Sequence, residues 1–187
     1  VQWLRDGLGL FPSAPDIEAM AQSVDNTGGV VFVPAFTGLG APHWQPHARG
    51  TISGITRGTT AAHLARAALE SIAFQVADLM DCMAHNTDMV LSELRVDGGA
   101  SANNLLLQIQ ADVLNVPVVR PQQIESTAMG AAFLAGLATG VWDSTDDISG
   151  QWTEGHRATP AVDPGRMQVS REAWRHAVNA TIAHAQP

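Results

Sequence analysis

The chain has 187 residues, 45% hydrophobic and 15% charged, a balance that fits one folded domain with its own core and excludes a disordered or fibrous chain. Ten Lys plus Arg against eighteen Asp plus Glu give a formal charge of −8, which repels phosphate backbones and anionic lipid, so no nucleic-acid partner is expected. Cys82 is the single cysteine, which rules out an intrachain disulfide and a cysteine-built metal cluster and fits a reducing, cytoplasmic setting.

Val1, Leu4 and Leu8 recur at helical spacing in VQWLRDGLGLF, so the first residues read as the inside of a helix. With no initial Met and no basic-then-apolar leader, a fragment of a longer chain is expected. No apolar run reaches the ~18 residues of a membrane span. FPSAPDIEAMAQSVDNTGG then holds a turn, a short helix and a breaker ending near Gly29, before VVFVPAF, whose β-branched and aromatic content predicts a strand. TGLGAPHWQPHARG is too rich in Gly and Pro for either regular element and reads as a structured loop. TISGIT reads as a second strand.

From Thr60, the residues Leu64, Ala68, Ile72, Val76, Met80 and Met83 mark one face of a long helix that ends before HNTDM, with both methionines as core candidates. ELRVDGG predicts a strand running into a glycine turn, NNLLLQIQADVL a helix, VPVVRP a strand, and STAMGAAFLAGLATG a helix closed by Gly140. Such alternation predicts a parallel α/β layer. Beyond VWDSTDDISGQW the chain is polar and turn-rich until Pro164-Gly165. Ser170 is expected to cap a last helix containing Trp174, Val178 and Ile182, and the five tryptophans to anchor packing.

Chemistry concentrates at Asp97-Gly98-Gly99. Two residues without a Cβ let the chain turn at positive φ, which needs no ligand, or let another molecule approach the backbone, which does. The motif alone favours the first use, and position adds weight to the second, because crevices in open α/β sheets lie beyond the carboxyl ends of the strands. The N–H groups opening the next helix would point at an anion there. There is no G-x-x-x-x-G-K-[ST], and Gly-Gly-Ala-Ser-Ala-Asn is not G-x-G-x-x-G. Lysine is absent altogether, so charge neutralisation falls to backbone donors, arginine or a metal held elsewhere.

PAFTGLGAPHWQPHARGTISGITRGTTAAHLARAALESIAFQ, followed by LRVDGGASANNLLLQIQADVL, V-RP and E-TAMGAAFLAGLATGVW, resembles the carboxyl-terminal domain of the glycerol kinases. These belong to the FGGY carbohydrate kinases, on the ribonuclease H-like fold shared with actin and hexokinase. The resemblance runs from QWLRD to about Ile148 and then thins. It implies an α/β domain over residues 1–150, lacking its first strands, and an extension over 151–187 whose final helix packs on the same domain. It also implies ATP-dependent phosphorylation of glycerol to glycerol 3-phosphate by a full-length enzyme whose two domains close around a cleft, with the nucleotide largely on this one.

Residue by residue, Gly99 and Asn103 match family positions that contact the nucleotide, and Gln2 matches a nucleotide-contacting glutamine. Gly98 is expected to keep the turn open and Asp97 to orient it. Asn103 offers both a donor and an acceptor for a ribose hydroxyl or an adenine edge; a helix N-cap is its alternative role. TGLGAPHW looks like the glycerol-kinase version of its loop, with His43 and His47 where aromatic residues, commonly Tyr, are usual. The catalytic and Mg2+-associated aspartates and most glycerol contacts match nothing in this chain. No catalytic residue, no metal ligand and no kinase activity of the chain alone are therefore expected.

A sheet edge and apolar surface left uncovered predict a homo-oligomer. The alternatives are a non-catalytic nucleotide-binding or assembly module and a kinase for another polyol or sugar. Of the other polar residues, Glu70 and Gln75 are expected at solvent and Glu125 as a helix cap. Arg49 and Arg57 are expected in surface ion pairs, and His43 and His47 as structural neighbours of Trp44 rather than metal ligands.

Overall fold

The computed structural model describes residues 1–87 and 90–185. Its elements are α1 (Gln2–Asp6), α2 (Asp16–Gln22), β1 (Val31–Val33), β2 (Thr51–Ser53), α3 (Ala61–Asn86), β3 (Leu94–Arg95), α4 (Asn104–Leu114), β4 (Val118–Pro121), α5 (Ser126–Thr139), α6 (Thr145–Ser149), β5 (Glu154–Ala158) and α7 (Pro164–Ala183), with a 3-10 turn over Gly99–Ala102. Up to residue 140 each stretch read as strand or helix holds an element of that kind. Extents and faces differ. Helix α1 stops at Asp6, so Leu8 lies outside it and is exposed. Helix α3 runs through the His and Asn of HNTDM, whose residues 88 and 89 lie outside the described residues.

Strands β1 and β2 pair antiparallel, with Phe32 opposite Ile52. β3 runs parallel to β4, Leu94 opposite Val118, and β5 extends β4 on its other side antiparallel, Val118 opposite Ala158. The expected parallel layer is therefore a mixed sheet. β5 escapes sequence reading because EGHRA buries only Ala158, so main-chain pairing rather than an apolar face defines it. Its Arg157 binds Glu154 at 2.7 Å and Glu93 at 2.8 Å. Gly155 sits where a Cβ would meet the main chain of Gln122 at 2.8 Å, beside the register shift at Arg120/Pro121.

Helix α3 is the axis of the main core. Ala65, Ala68, Ala73 and Ala77 are buried together with Leu69, and the small alanine side chains let α2, α4, β1 and α7 come close. The larger residues expected to mark this face flank it instead: Leu64, Ile72, Val76 and Met80 are half-buried and Met83 is exposed. Helix α7 begins at Pro164, with Asp163 Oδ1 accepting from Gly165 N at 2.9 Å, and Ser170 lies inside the helix rather than capping it. Pro at the first helical position lacks the N–H that would otherwise go unsatisfied, so Asp-Pro is the stronger start.

Trp174 is 1% exposed, stacks on Phe74 at 5.7 Å, and donates its indole N–H to Asp78 at 2.7 Å. The remaining tryptophans lie outside the core, though Trp3 packs on Phe32 and Phe36 and Trp142 on Phe133. Trp3 and Trp152 are partly exposed, Trp142 stands edge-on to Phe133, and Trp44 is 74% exposed at a positive φ of 51° in its loop. Gly140 closes α5 in the left-handed conformation, as expected, yet Gly136 is the one buried residue of that helix.

Candidate functional site

The turn between β3 and α4 is anchored from below. Gly98 has φ 75° and ψ 175°, a conformation that favours glycine. Its N–H donates to the Ile124 carbonyl at 2.8 Å, and its carbonyl accepts from Ser101 N at 3.0 Å and Ser101 Oγ at 2.7 Å. Arg120 Nη1 donates to the Ser101 carbonyl at 2.7 Å, tying the turn to β4. Gly99, one residue on, is exposed, and a Cβ there would meet no heavy atom within 4 Å.

Gly99 opens onto a groove of about 400 Å³ between α1, α2, α3 and the start of α4. Ile17, Leu69, Ile72 and Leu106 give it apolar walls, and Gln2, Glu18 and Asn103 stand on its polar side. Three residues separated along the chain, Gln2, Gly99 and Asn103, thus share one groove. Gly98 and Asp97 do not line it. Asn103 caps α4, its Oδ1 accepting from Leu106 N at 2.8 Å. Among the described residues its amide N–H groups have no partner, so the cap leaves both of these donors unused. Gln2, exposed on α1, likewise keeps its amide unengaged among the described residues.

The expectation that the first N–H groups of α4 point freely at an anion is corrected by Glu18. Its Oε1 accepts from Leu105 N at 3.0 Å, across 87 positions of sequence. Two consecutive donors of the first turn are therefore held by side chains. Arg5, also on the groove wall, is paired with its neighbour Asp6, Nε to Oδ1 at 2.6 Å and Nη2 to Oδ2 at 2.9 Å. No periodic pattern marks Glu18 in the sequence, because its partner is set by the packing of α2 on α4 alone.

Other expectations shift as well. Glu70 is not at solvent. Its side chain is 20% exposed and accepts from Arg66 Nε at 3.1 Å, and burial raises its pKa while the Arg66 bond opposes the rise. Gln75 is exposed, as expected. Glu125 occupies the N-cap position of α5, but its side chain makes no capping bond. Arg49 donates to the Pro46 and Ala48 carbonyls at 3.0 and 2.7 Å instead of entering an ion pair. Arg57 is exposed. His43 Nε2 lies 3.7 Å from Asp78 Oδ2, and His47 is exposed.

Among the described residues no group of three His, Cys, Asp or Glu side chains could hold a metal ion, and no helix is long and apolar enough to cross a membrane. A roomier depression of about 590 Å³ lies beside α5, walled by Phe133, Trp142 and Trp152, and contains none of the sequence-predicted site residues.

The FGGY family of carbohydrate kinases, C-terminal domain, matches residues 1–139. The chain is 57% identical over 186 residues to a glycerol kinase of Albidiferax ferrireducens, covering 97% of this chain and 38% of that protein. In structure it is similar to Plasmodium falciparum glycerol kinase with ADP, at a TM-score of 0.85 and 34% identity, covering 96% of this chain and 36% of that one. A ligand-bound xylulose kinase from Lactobacillus acidophilus is similar at a TM-score of 0.78 and 26% identity, covering 98% and 37%. The chain thus spans 36–38% of the length of these relatives.

Proposed function

The chain belongs to the FGGY family of carbohydrate kinases and carries their ribonuclease H-like α/β fold, and from that premise we propose that it is the nucleotide-holding part of a glycerol kinase. The reaction is transfer of the γ-phosphoryl group of ATP to a primary hydroxyl of glycerol, giving glycerol 3-phosphate. One observation carries the reading: Gln2, Gly99 and Asn103 converge on a single apolar-walled groove. Apolar walls suit a purine ring, and the amides of Asn103 and Gln2, without partners among the described residues, suit its edge or the ribose hydroxyls. Glycerol is favoured as acceptor because, of the solved structures above, the glycerol kinase is 34% identical against 26% for the xylulose kinase, and the Albidiferax glycerol kinase is 57% identical.

Phosphoryl transfer to an alcohol uses a carboxylate to take the hydroxyl proton and a divalent metal to neutralise phosphate charge. No group of three His, Cys, Asp or Glu side chains among the described residues could hold a metal ion by itself. In this reading Mg2+, the base and most of the glycerol contacts belong to the enzyme outside these 187 residues, and the chain alone does not turn over. Residues 1–150 are read as the nucleotide domain and 151–187 as its extension, supported by β5 adding to β4 and Trp174 entering the core of α3. A homo-oligomer and a cytoplasmic setting complete the reading, supported by exposed Leu134, Val141 and Val169 and by the lone, unpaired Cys82.

The test is Gly99→Val in the complete enzyme. A Cβ fits the backbone there, so the fold is retained, while the side chain fills space the nucleotide needs. ATP affinity measured calorimetrically falls; an unchanged affinity overturns the reading of the groove.

A further inference from the structure

Resting on the nucleotide reading of the groove, we propose that Glu18 is a specificity-determining residue: its carboxylate, fixed on the first turn of α4, turns the phosphates of a bound nucleotide away from that helix and reserves its end for the nucleoside. A helix start is ordinarily a place for phosphate, because its first N–H groups lack partners and carry the positive end of the dipole. In α4 two of the first three N–H groups are taken, those of Leu105 and Leu106. Leu105 N donates to Glu18 Oε1 at 3.0 Å, and Leu106 N donates to Asn103 Oδ1 at 2.8 Å. The carboxylate also stands on the groove wall itself, with Gly99 and Asn103, so any ligand reaching α4 meets it.

An anion arriving there would find two donors already bound and a like charge in front of it. The remaining groups at that end are neutral: the amide N–H groups of Asn103 and the open backbone face of Gly99. Arg5 does not reverse the balance, since its guanidinium is held by Asp6 through two bonds. Ile17 and Leu106 give this end apolar walls that suit a ring rather than a polyanion. Glu18 also receives Gln22 Nε2 at 3.5 Å, a contact along α2 that helps hold its side chain in place.

The test uses the complete enzyme as wild type, Glu18→Gln and Glu18→Ala, titrated with adenosine and with inorganic tripolyphosphate as a competitor of adenosine. Wild type binds adenosine, and tripolyphosphate does not displace it. Glu18→Gln keeps an acceptor for Leu105 N–H but not the charge; it binds adenosine within about threefold of wild type and admits tripolyphosphate as a competitor. Glu18→Ala also frees the N–H, weakens adenosine about tenfold, and binds the competing tripolyphosphate more tightly than Glu18→Gln does. A purely structural Glu18 would lower thermal midpoints without creating competition, and that result overturns the proposal. Should Glu18→Ala fail to fold, the competition in Glu18→Gln decides alone. Wild type that binds no adenosine overturns the groove reading itself, whereas binding with no competition in the variants overturns only the role of Glu18.

Discussion

Helices α3 and α5 are written in much the same alphabet, alanine with leucine, phenylalanine and methionine, and end in opposite places. α3 carries Arg66, Glu70, Asp78 and Asp81 and still forms the centre of the core; α5 carries no charged residue between Ser126 and Thr139 and buries only Gly136. The difference lies in neighbours. α3 is met by α2, α4, β1 and α7, whereas α5 has Trp142 folded back over Gly136 and Phe133 at 5.2 Å from that ring. Apolar area contributes to stability only when removed from water, at about 25 cal/mol per Å². Leu134, 70% exposed, contributes little within this chain. A helix this apolar and this bare marks where further protein is expected to lie.

The largest effect separating the two regions is expected at Trp174. Trp174→Ala empties the place where α7 meets α3, removing the stack on Phe74 and the donor to Asp78. A loss of about 3–5 kcal/mol in urea unfolding is expected, the usual cost of truncating a buried aromatic residue. A loss below about 1 kcal/mol would mean that α7 is peripheral and that the contrast with α5 is overdrawn.

Next in size is Asn103→Ala, which should cost about 1 kcal/mol through loss of the α4 cap. Asn103→Asp keeps the acceptor for Leu106 N and should restore most of that stability. Nucleotide affinity separates the two roles, because aspartate lacks the amide donors that the groove reading requires of Asn103. Equal ATP affinity in the asparagine and aspartate forms, measured in the complete enzyme, would leave Asn103 as a cap alone.

How far these regions could be read from sequence depended on how local their causes are. Gly140 as a helix stop, Asn103 as a cap and the turn at Gly98 follow from residue type and a few neighbours. β5 and α6 did not, since polar stretches whose order comes from main-chain pairing or a short cap carry no apolar period. The buried face of α3 was misplaced because alanine is indifferent between core and surface, and only the approach of four neighbours decides it. In the groove, Gln2, Gly99 and Asn103 were legible through resemblance to a kinase family. Glu18 was not, for its bond to Leu105 joins elements 87 positions apart.

A smaller effect is expected on α5. Leu134→Ser in this chain should change stability by less than about 0.5 kcal/mol, as for an exposed site without special contacts. The same substitution in the complete enzyme should cost several times more if further protein covers the helix. Equal small losses in both would mean that α5 stays bare and that its composition has another cause.

The least effect is a change of slope with pH, and it concerns α3 alone, because α5 has no ionisable side chain. Burial raises the Glu70 pKa above its ordinary value, with the bond from Arg66 opposing. In the window that opens at the ordinary glutamate value, about 4.3, the folded chain keeps a proton that the unfolded chain has released. Stability from this group therefore falls as pH rises through the window. Glu70→Gln keeps the acceptor for Arg66 Nε at 3.1 Å and has no proton to lose. Urea unfolding at a series of pH values from about 4 to 7 should show the variant gaining on the wild type as pH rises. If the wild type gains instead, the pair with Arg66 outweighs desolvation, and the core around α3 accommodates a charge more readily than its burial implies.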